Sequence, residues 1–159
     1  MEWLFALYFM WQPPMSTHKV PECLIKSIEF HESRGKPLAV SSAGAIGTMQ
    51  VMPRFSNIPR WQLYSIAGSR HEGTRILCRW HRRAKGDLRL ALAGYNGGNR
   101  GLRGEMSRAL GYADRVISRA GRKGCLTKSI CGRRPKKKGY EKPQKQPLQP
   151  QPSTSSGQK

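Results

Sequence analysis

Glu32 is the acid whose place in the sequence is hardest to explain as a surface residue. Leu24, Ile28 and Glu32 are spaced four apart, and Ile25 lies seven before Glu32. Residues so spaced share one face of a helix. Glu32 thus continues an apolar stripe at the end where the helix gives way to a loop. A carboxyl set against apolar walls has its charged form disfavoured, and its pKa rises, by as much as ~2 units in known active sites. Such an acid holds a proton near neutral pH and can hand it to a leaving oxygen, as cleavage of a glycosidic bond requires. Spacing alone leaves a plainer alternative open, a helix-end glutamate that turns outward to solvent or caps the loop. Glu29, about 300° away around an ideal helix, is expected to be dispensable.

The elements that must hold Glu32 are legible in outline. Pro21 suits a first helical position, Leu24, Ile25 and Ile28 follow at helical spacing, and Gly35 and Pro37 end the helix. A small-residue stretch, Ser41-Ser42-Ala43-Gly44-Ala45-Ile46-Gly47, leads into Met49-Gln50-Val51-Met52-Pro53. Its glycines point to tight turns or to something approaching the backbone closely. Later helices are expected at Thr74–Ala84, at Leu88–Gly94 with Asp87 as N-cap, and at Gly111–Ala120. No period-two strand pattern occurs, so the domain reads as mostly α.

The ends differ from the middle. Residues 1–18 form a short apolar N-terminal segment, Trp3 to Trp11 closed by Pro13-Pro14. It lacks the positive start and small-residue cleavage site of a signal peptide, and Met15 offers an alternative start, so the segment does not decide the compartment. The chain of 159 residues carries 29 Lys+Arg against 9 Asp+Glu, a net charge of +20. Residues 123–159 hold ten of those bases and one acid, hence +9, together with five of the eleven prolines. Such a tail buries too little apolar area to offset its conformational entropy and is expected to be disordered. No apolar run approaches the roughly 18–20 residues of a membrane-spanning helix, which excludes an ordinary transmembrane protein.

Four blocks now take on meaning together. Glu32-Ser33, then Ser42-Ala43-Gly44-Ala45-Ile46-Gly47-Thr48-Met49-Gln50-Val51-Met52-Pro53, then Ala91-Leu92-Ala93-Gly94-Tyr95-Asn96-Gly97-Gly98, then Gly111-Tyr112-Ala113-Asp114-Arg115-Val116 resemble, in order and separation, the soluble lytic transglycosylases (the SLT, goose-lysozyme-like family). The resemblance spans roughly residues 20–120. It implies a lysozyme-like single domain at 19–122 that cuts the β-1,4 bond between N-acetylmuramic acid and N-acetylglucosamine in peptidoglycan, with no cofactor or metal. It implies Glu32 as the single acid/base. It assigns the sugar site to Ser33, Gly47, Met49, Gln50, Tyr95, Asn96 and Tyr112, the last orienting the catalytic carboxyl. Thr48 departs from the family's Leu and Gly94 from its Ala, and an Asp-Pro-x-x-Asn element before Gly73 is missing; these put fine substrate preference in question.

A hydrolase needs a second carboxylate roughly 5–10 Å from the first. None of the remaining acids falls in the Gly-rich or Tyr-Asn blocks, and Asp87 is explained as an N-cap. The family's single-acid scheme, closing a 1,6-anhydro ring without water, fits better than a muramidase on the same bond. Should a second acid exist, Glu72 and Asp114 are the first places to look.

The cysteines allow three pairings. Cys23 and Cys78 fall in core helices and read as buried thiols, whereas Cys125 and Cys131 flank a short loop and could pair in an oxidising compartment. Cys78-x-x-His81 does not have the spacing of a known zinc finger, and His31 reads as a solvated or packing histidine. The positive charge suits anionic wall polymers. The Arg79-Trp80-His81-Arg82-Arg83 run and the tail could instead hold DNA, although Tyr140 is the tail's only aromatic. A non-catalytic wall- or nucleic-acid-binding module would leave the four blocks unexplained. The expected setting is the cell envelope (periplasm) or a phage virion, with a phage particle or a secretion or conjugation complex as partner.

Overall fold

The computed structural model describes residues 18–122 and 130–132. Four α-helices occur among them: α1 Glu22–Ser33, α2 Ile66–Arg83, α3 Leu88–Leu102 and α4 Ser107–Gly121. Two short 3-10 helices, Pro53–Phe55 and Arg60–Tyr64, lie between α1 and α2. Among the described residues there are no strands, only isolated bridges pairing Val40 with Ile46 and Ile46 with Val51. No helix among them is long and apolar enough to cross a membrane.

α1 follows Pro21, which is its N-cap rather than its first turn. Arg34 then takes a left-handed conformation, φ 60°, and its N–H bonds back to Phe30 O. Gly35 N–H reaches Glu29 O at 3.2 Å, so the helix closes on the double bond typical of a left-handed cap. α3 starts where Asp87 Oδ1 accepts from Leu90 N–H at 2.9 Å, as its sequence position requires.

The later helices are longer than propensity indicates, α4 among them, which begins at Ser107 rather than Gly111. α2 starts eight residues before Thr74, capped by Ser65 Oγ accepting from Gly68 N–H. Its first turns contain Gly68 and Gly73, poor helix formers. Gly73 is nonetheless required by packing, because a Cβ there would lie 2.5 Å from Met49 Sδ. α3 runs on beyond Gly94 to Leu102, passing a kink at Gly98 (φ 62°, ψ −145°).

The helices pack in the order α2 on α3, α3 on α4 and α4 on α1. Leu24 and Ile28 of α1, Leu77 of α2, Leu92 of α3 and Val116 of α4 are fully buried together. Each such side chain contributes about 1.5–3 kcal/mol relative to exposure. Ser27 Oγ donates to Val116 O at 2.8 Å, tying α1 to α4.

The cysteine expectations need correction. Cys78 and Cys131 form a disulfide with Cα atoms 5.5 Å apart, and Cys23 is disulfide-bonded as well. Cys125 therefore does not pair with Cys131, and neither Cys23 nor Cys78 is a thiol. The cause is tertiary: Cys131 N–H bonds to Lys19 O, and Ile130 is buried in the core. Residues 130–132 thus belong to the folded body although they lie beyond 122. The rest of the 123–159 tail, Cys125 included, and most of the N-terminal segment lie outside the described residues.

Candidate active site

Helix α1 brings Glu32 to its last turn, partly buried on the same side as the buried Leu24 and Ile28. Tyr112 Oη, from α4, donates to Glu32 Oε1 at 2.6 Å. Burial pushes the Glu32 pKa from 4.5 up to about 7, opposed by the Tyr112 hydrogen bond, which lowers it. Burial and the adjacent Glu32 carboxyl hold the Tyr112 and Tyr95 phenols well above their ordinary value. Both tyrosines therefore remain donors at any working pH. Glu32 is a carboxyl that can keep its proton at neutrality and release it with a small change of surroundings.

The loop after α1 is fastened to the helix by Ser33. Its Oγ donates to Thr48 O at 2.8 Å, so the hydroxyl positions the loop rather than standing free. Gly47 has φ +82°, and a Cβ there would come within 2.1 Å of Leu63 O. Only glycine lets this turn pass. Gln50, also left-handed at φ 49°, donates from Nε2 to Gly47 O and Ala39 O. Met49 is fully buried, so its side chain offers a substrate no surface. Its backbone does the positioning: Tyr95 Oη donates to Met49 O at 2.8 Å, and Met49 N–H donates to Ser69 Oγ.

A cleft of about 750 Å³ opens between this loop and helices α2 and α3. Gln50, Tyr95 and Asn96 line it, as do Trp80 and Gly94, whose missing Cβ would otherwise strike the Trp80 ring at 2.8 Å. Glu32 is not among the lining residues. Tyr95 links the two, lining the cleft while lying close enough to Glu32 to feel its charge. Tyr112 is buried behind the cleft, where it donates to Glu32 and meets the His31 ring edge-on. The structure thus gathers Gln50, Tyr95 and Asn96 on the cleft, and uses Ser33, Gly47, Met49 and Tyr112 as the frame behind it.

Sequence reasoning missed the cationic wall. Arg54, Arg79 and Arg83 line the cleft, and no Asp or Glu does. Arg83 Nη2 donates to Asn99 Oδ1 at 2.9 Å, and its guanidinium lies 4.6 Å from the Trp80 ring. The signal was present in the Arg79–Arg83 run, whose members at positions 79, 80 and 83 share a helix face.

The other acids have structural occupations. Glu72 is fully buried and accepts from Arg75 and from Asn57 N–H. Asp114 accepts on both oxygens from Arg89, Nε to Oδ1 and Nη2 to Oδ2. Glu29 is buried and bound in a fork by Arg70, Nε to Oε1 and Nη2 to Oε2, each at 2.8 Å. Burial pushes its pKa up, but the Arg70 guanidinium bonded to it overcomes that and holds it below the usual range. Glu29 therefore has a structural occupation, although Arg70 is about a third exposed and keeps a second carboxylate, Glu22, at 3.1 Å. Thr48, where the family carries Leu, is buried, and its hydroxyl has no hydrogen-bond partner among the described residues. Among the described residues no three His, Cys, Asp or Glu converge as metal ligands.

The sequence profile of the transglycosylase SLT domain matches residues 9–117. The chain belongs to the transglycosylase SLT domain family. The match begins inside the N-terminal segment that composition sets apart, ahead of residue 19. The SLT domain is similar to the 70 kDa soluble lytic transglycosylase of Escherichia coli, at 20% identity and TM-score 0.58, over 65% of this chain and 21% of that one. It is also similar to an inactive mutant of the lytic transglycosylase Slt from Pseudomonas aeruginosa, at 26% identity and TM-score 0.56, over 64% of this chain and 21% of that one. The SLT domain thus spans about a fifth of each of these larger chains. No curated protein matches it. The mostly α, lysozyme-like fold is shared with these structures.

Proposed function

We propose that this SLT domain is a peptidoglycan lytic transglycosylase with Glu32 as its single acid and base. The observation that carries the reading is one carboxyl with a pKa near 7, held by Tyr112 and linked through Tyr95 to a cleft that no acid among the described residues lines. In the ground state Glu32 holds a proton and delivers it to the oxygen linking N-acetylmuramic acid to N-acetylglucosamine. The substrate's own N-acetyl group stabilises the cation at C1. Glu32, now ionised, takes the proton of the 6-hydroxyl, whose oxygen closes the 1,6-anhydro ring. Tyr112 steadies the carboxyl in both states, because its phenol remains a donor throughout. No water is consumed, which fits a cleft where no described lining residue is a carboxylate that could activate one.

Residues 19–122, extended by 130–132, form the catalytic body in this reading. Gln50, Tyr95 and Asn96 contact the sugars, and the Arg54, Arg79 and Arg83 wall suits a strand that carries carboxylates. Mass analysis of digested peptidoglycan tests the reaction. Anhydro products, lighter than hydrolysed ones by one water, are expected. Reducing ends would make the enzyme a muramidase. Unchanged peptidoglycan with a folded protein would reduce it to a binding module.

A further inference from the structure

A second hollow, of about 380 Å³, lies between the end of α1 and the outer face of α4. It shares no lining residue with the cleft. Arg115, Arg119 and Arg122 line it from α4, at the spacing that puts all three on one helix face. Arg34 approaches from the left-handed cap of α1. The guanidinium of Arg119 lies 3.5 Å from the centre of the Phe30 ring, and that of Arg34 lies 4.2 Å from it.

This cluster is not neutralised. Among the described residues none of these four arginines pairs with a carboxylate. Asp114, the one acid lining the hollow, has both oxygens bound by Arg89. His31 in the same hollow is held below its ordinary pKa by burial and then by Arg115, Arg119 and Arg34. Like charges gathered without a counter-charge repel, and an anion that enters relieves the repulsion. Guanidinium groups resting on a ring face also keep their in-plane N–H donors for an oxyanion.

The shape narrows the anion. From Arg115 to Arg122 the helix rises about 10 Å, longer than any single phosphate or carboxylate. Phe30, the ring that a nucleobase would stack on, is already covered by guanidinium. We propose that the α1–α4 face is a binding site for consecutive phosphates of a base-free phosphodiester chain, a polyol-phosphate polymer of the kind that decorates cell walls. The site lies apart from the cleft and tethers the protein to its surroundings whether or not Glu32 works as an acid.

The test measures binding of the full chain to labelled poly(glycerol phosphate) near physiological ionic strength. Arg115→Gln/Arg119→Gln/Arg122→Gln is expected to bind at least roughly tenfold more weakly than wild type, with a shallower dependence on salt. Arg60→Gln/Arg82→Gln/Arg108→Gln removes the same charge from residues lining neither cavity and is expected to bind within about threefold of wild type, as general screened attraction allows. Equal losses in the two triple variants overturn the proposal. Arg115→Gln/Arg122→Gln, altering only exposed side chains, guards against misfolding and must show a loss as well. Duplex DNA bound more tightly than the polymer through these arginines overturns it, as does displacement of the polymer by inorganic phosphate at equal phosphate concentration. Glu32→Gln is expected to bind like wild type, which separates this site from the fate of the transglycosylase reading.

Discussion

Replacing Glu32 by Gln should abolish wall cleavage and, at the same time, make the protein more stable, increasingly so as pH rises. The pKa of Glu32 moves from 4.5 to about 7 in the folded protein because burial disfavours the ionised form. Below pH 4.5 the carboxyl is neutral in both folded and unfolded chains, and wild type and variant should be nearly equal. Between 4.5 and 7 the unfolded chain releases its proton while the folded one retains it, so wild type loses stability with rising pH. Above 7 the loss is complete. The span from 4.5 to about 7, at about 1.4 kcal/mol per pH unit, amounts to roughly 3 kcal/mol. Gln escapes this penalty and still presents an oxygen to Tyr112. The difference corresponds to a melting-temperature gain on the order of 10 °C at pH 8 and to little at pH 4. Parallel urea denaturation of wild type and variant from pH 4 to 8 measures it, and contributions from His18 and His31 cancel in the difference. The same variant should lose about 10²–10⁴-fold in turnover. A stability difference that does not change with pH would refute the argument that Glu32 is held protonated by burial.

Tyr112→Phe removes the donor on Glu32 Oε1 and should reduce activity roughly tenfold; because that hydrogen bond lowers the Glu32 pKa, the fall in activity above neutral pH should move to higher pH, and an unmoved limb would count against direct contact. Glu29→Gln should destabilise the fold by about 1–2 kcal/mol, because the charged fork with Arg70 is lost while Arg70 keeps Glu22; equilibrium unfolding reads this directly. Removing residues 133–159 should leave turnover on soluble glycan fragments intact and weaken action on whole walls at low salt. Removing 123–159 should also lower stability, since that cut deletes buried Ile130 and breaks the Cys78–Cys131 disulfide; thermal melting of the two truncations separates the effects.

Helical periodicity and four short blocks were enough to read the mostly α fold, to place α1 and the Asp87 cap, and to single out Glu32. These are properties of neighbours along the chain: an apolar stripe, a capping side chain, an acid at the end of a helical face. The sequence could not show why α2 begins at Ile66, because Gly68 and Gly73 weaken a helix locally and are explained only by Gln62 and Met49 packed against them. Nor could it separate Glu29 from a solvent-exposed acid, since Arg70 lies on another helix 41 residues away. Cysteine spacing favoured the short loop between Cys125 and Cys131, whereas the fold carries Cys131 back to Cys78 across 53 residues. Met49 stands in a substrate-site block yet is buried, and Arg54 stands in none yet lines the cleft. Local sequence determines which residues can be helical and which can do chemistry. Burial, partner and charge environment depend on residues distant along the chain, and only the packed structure brings those together.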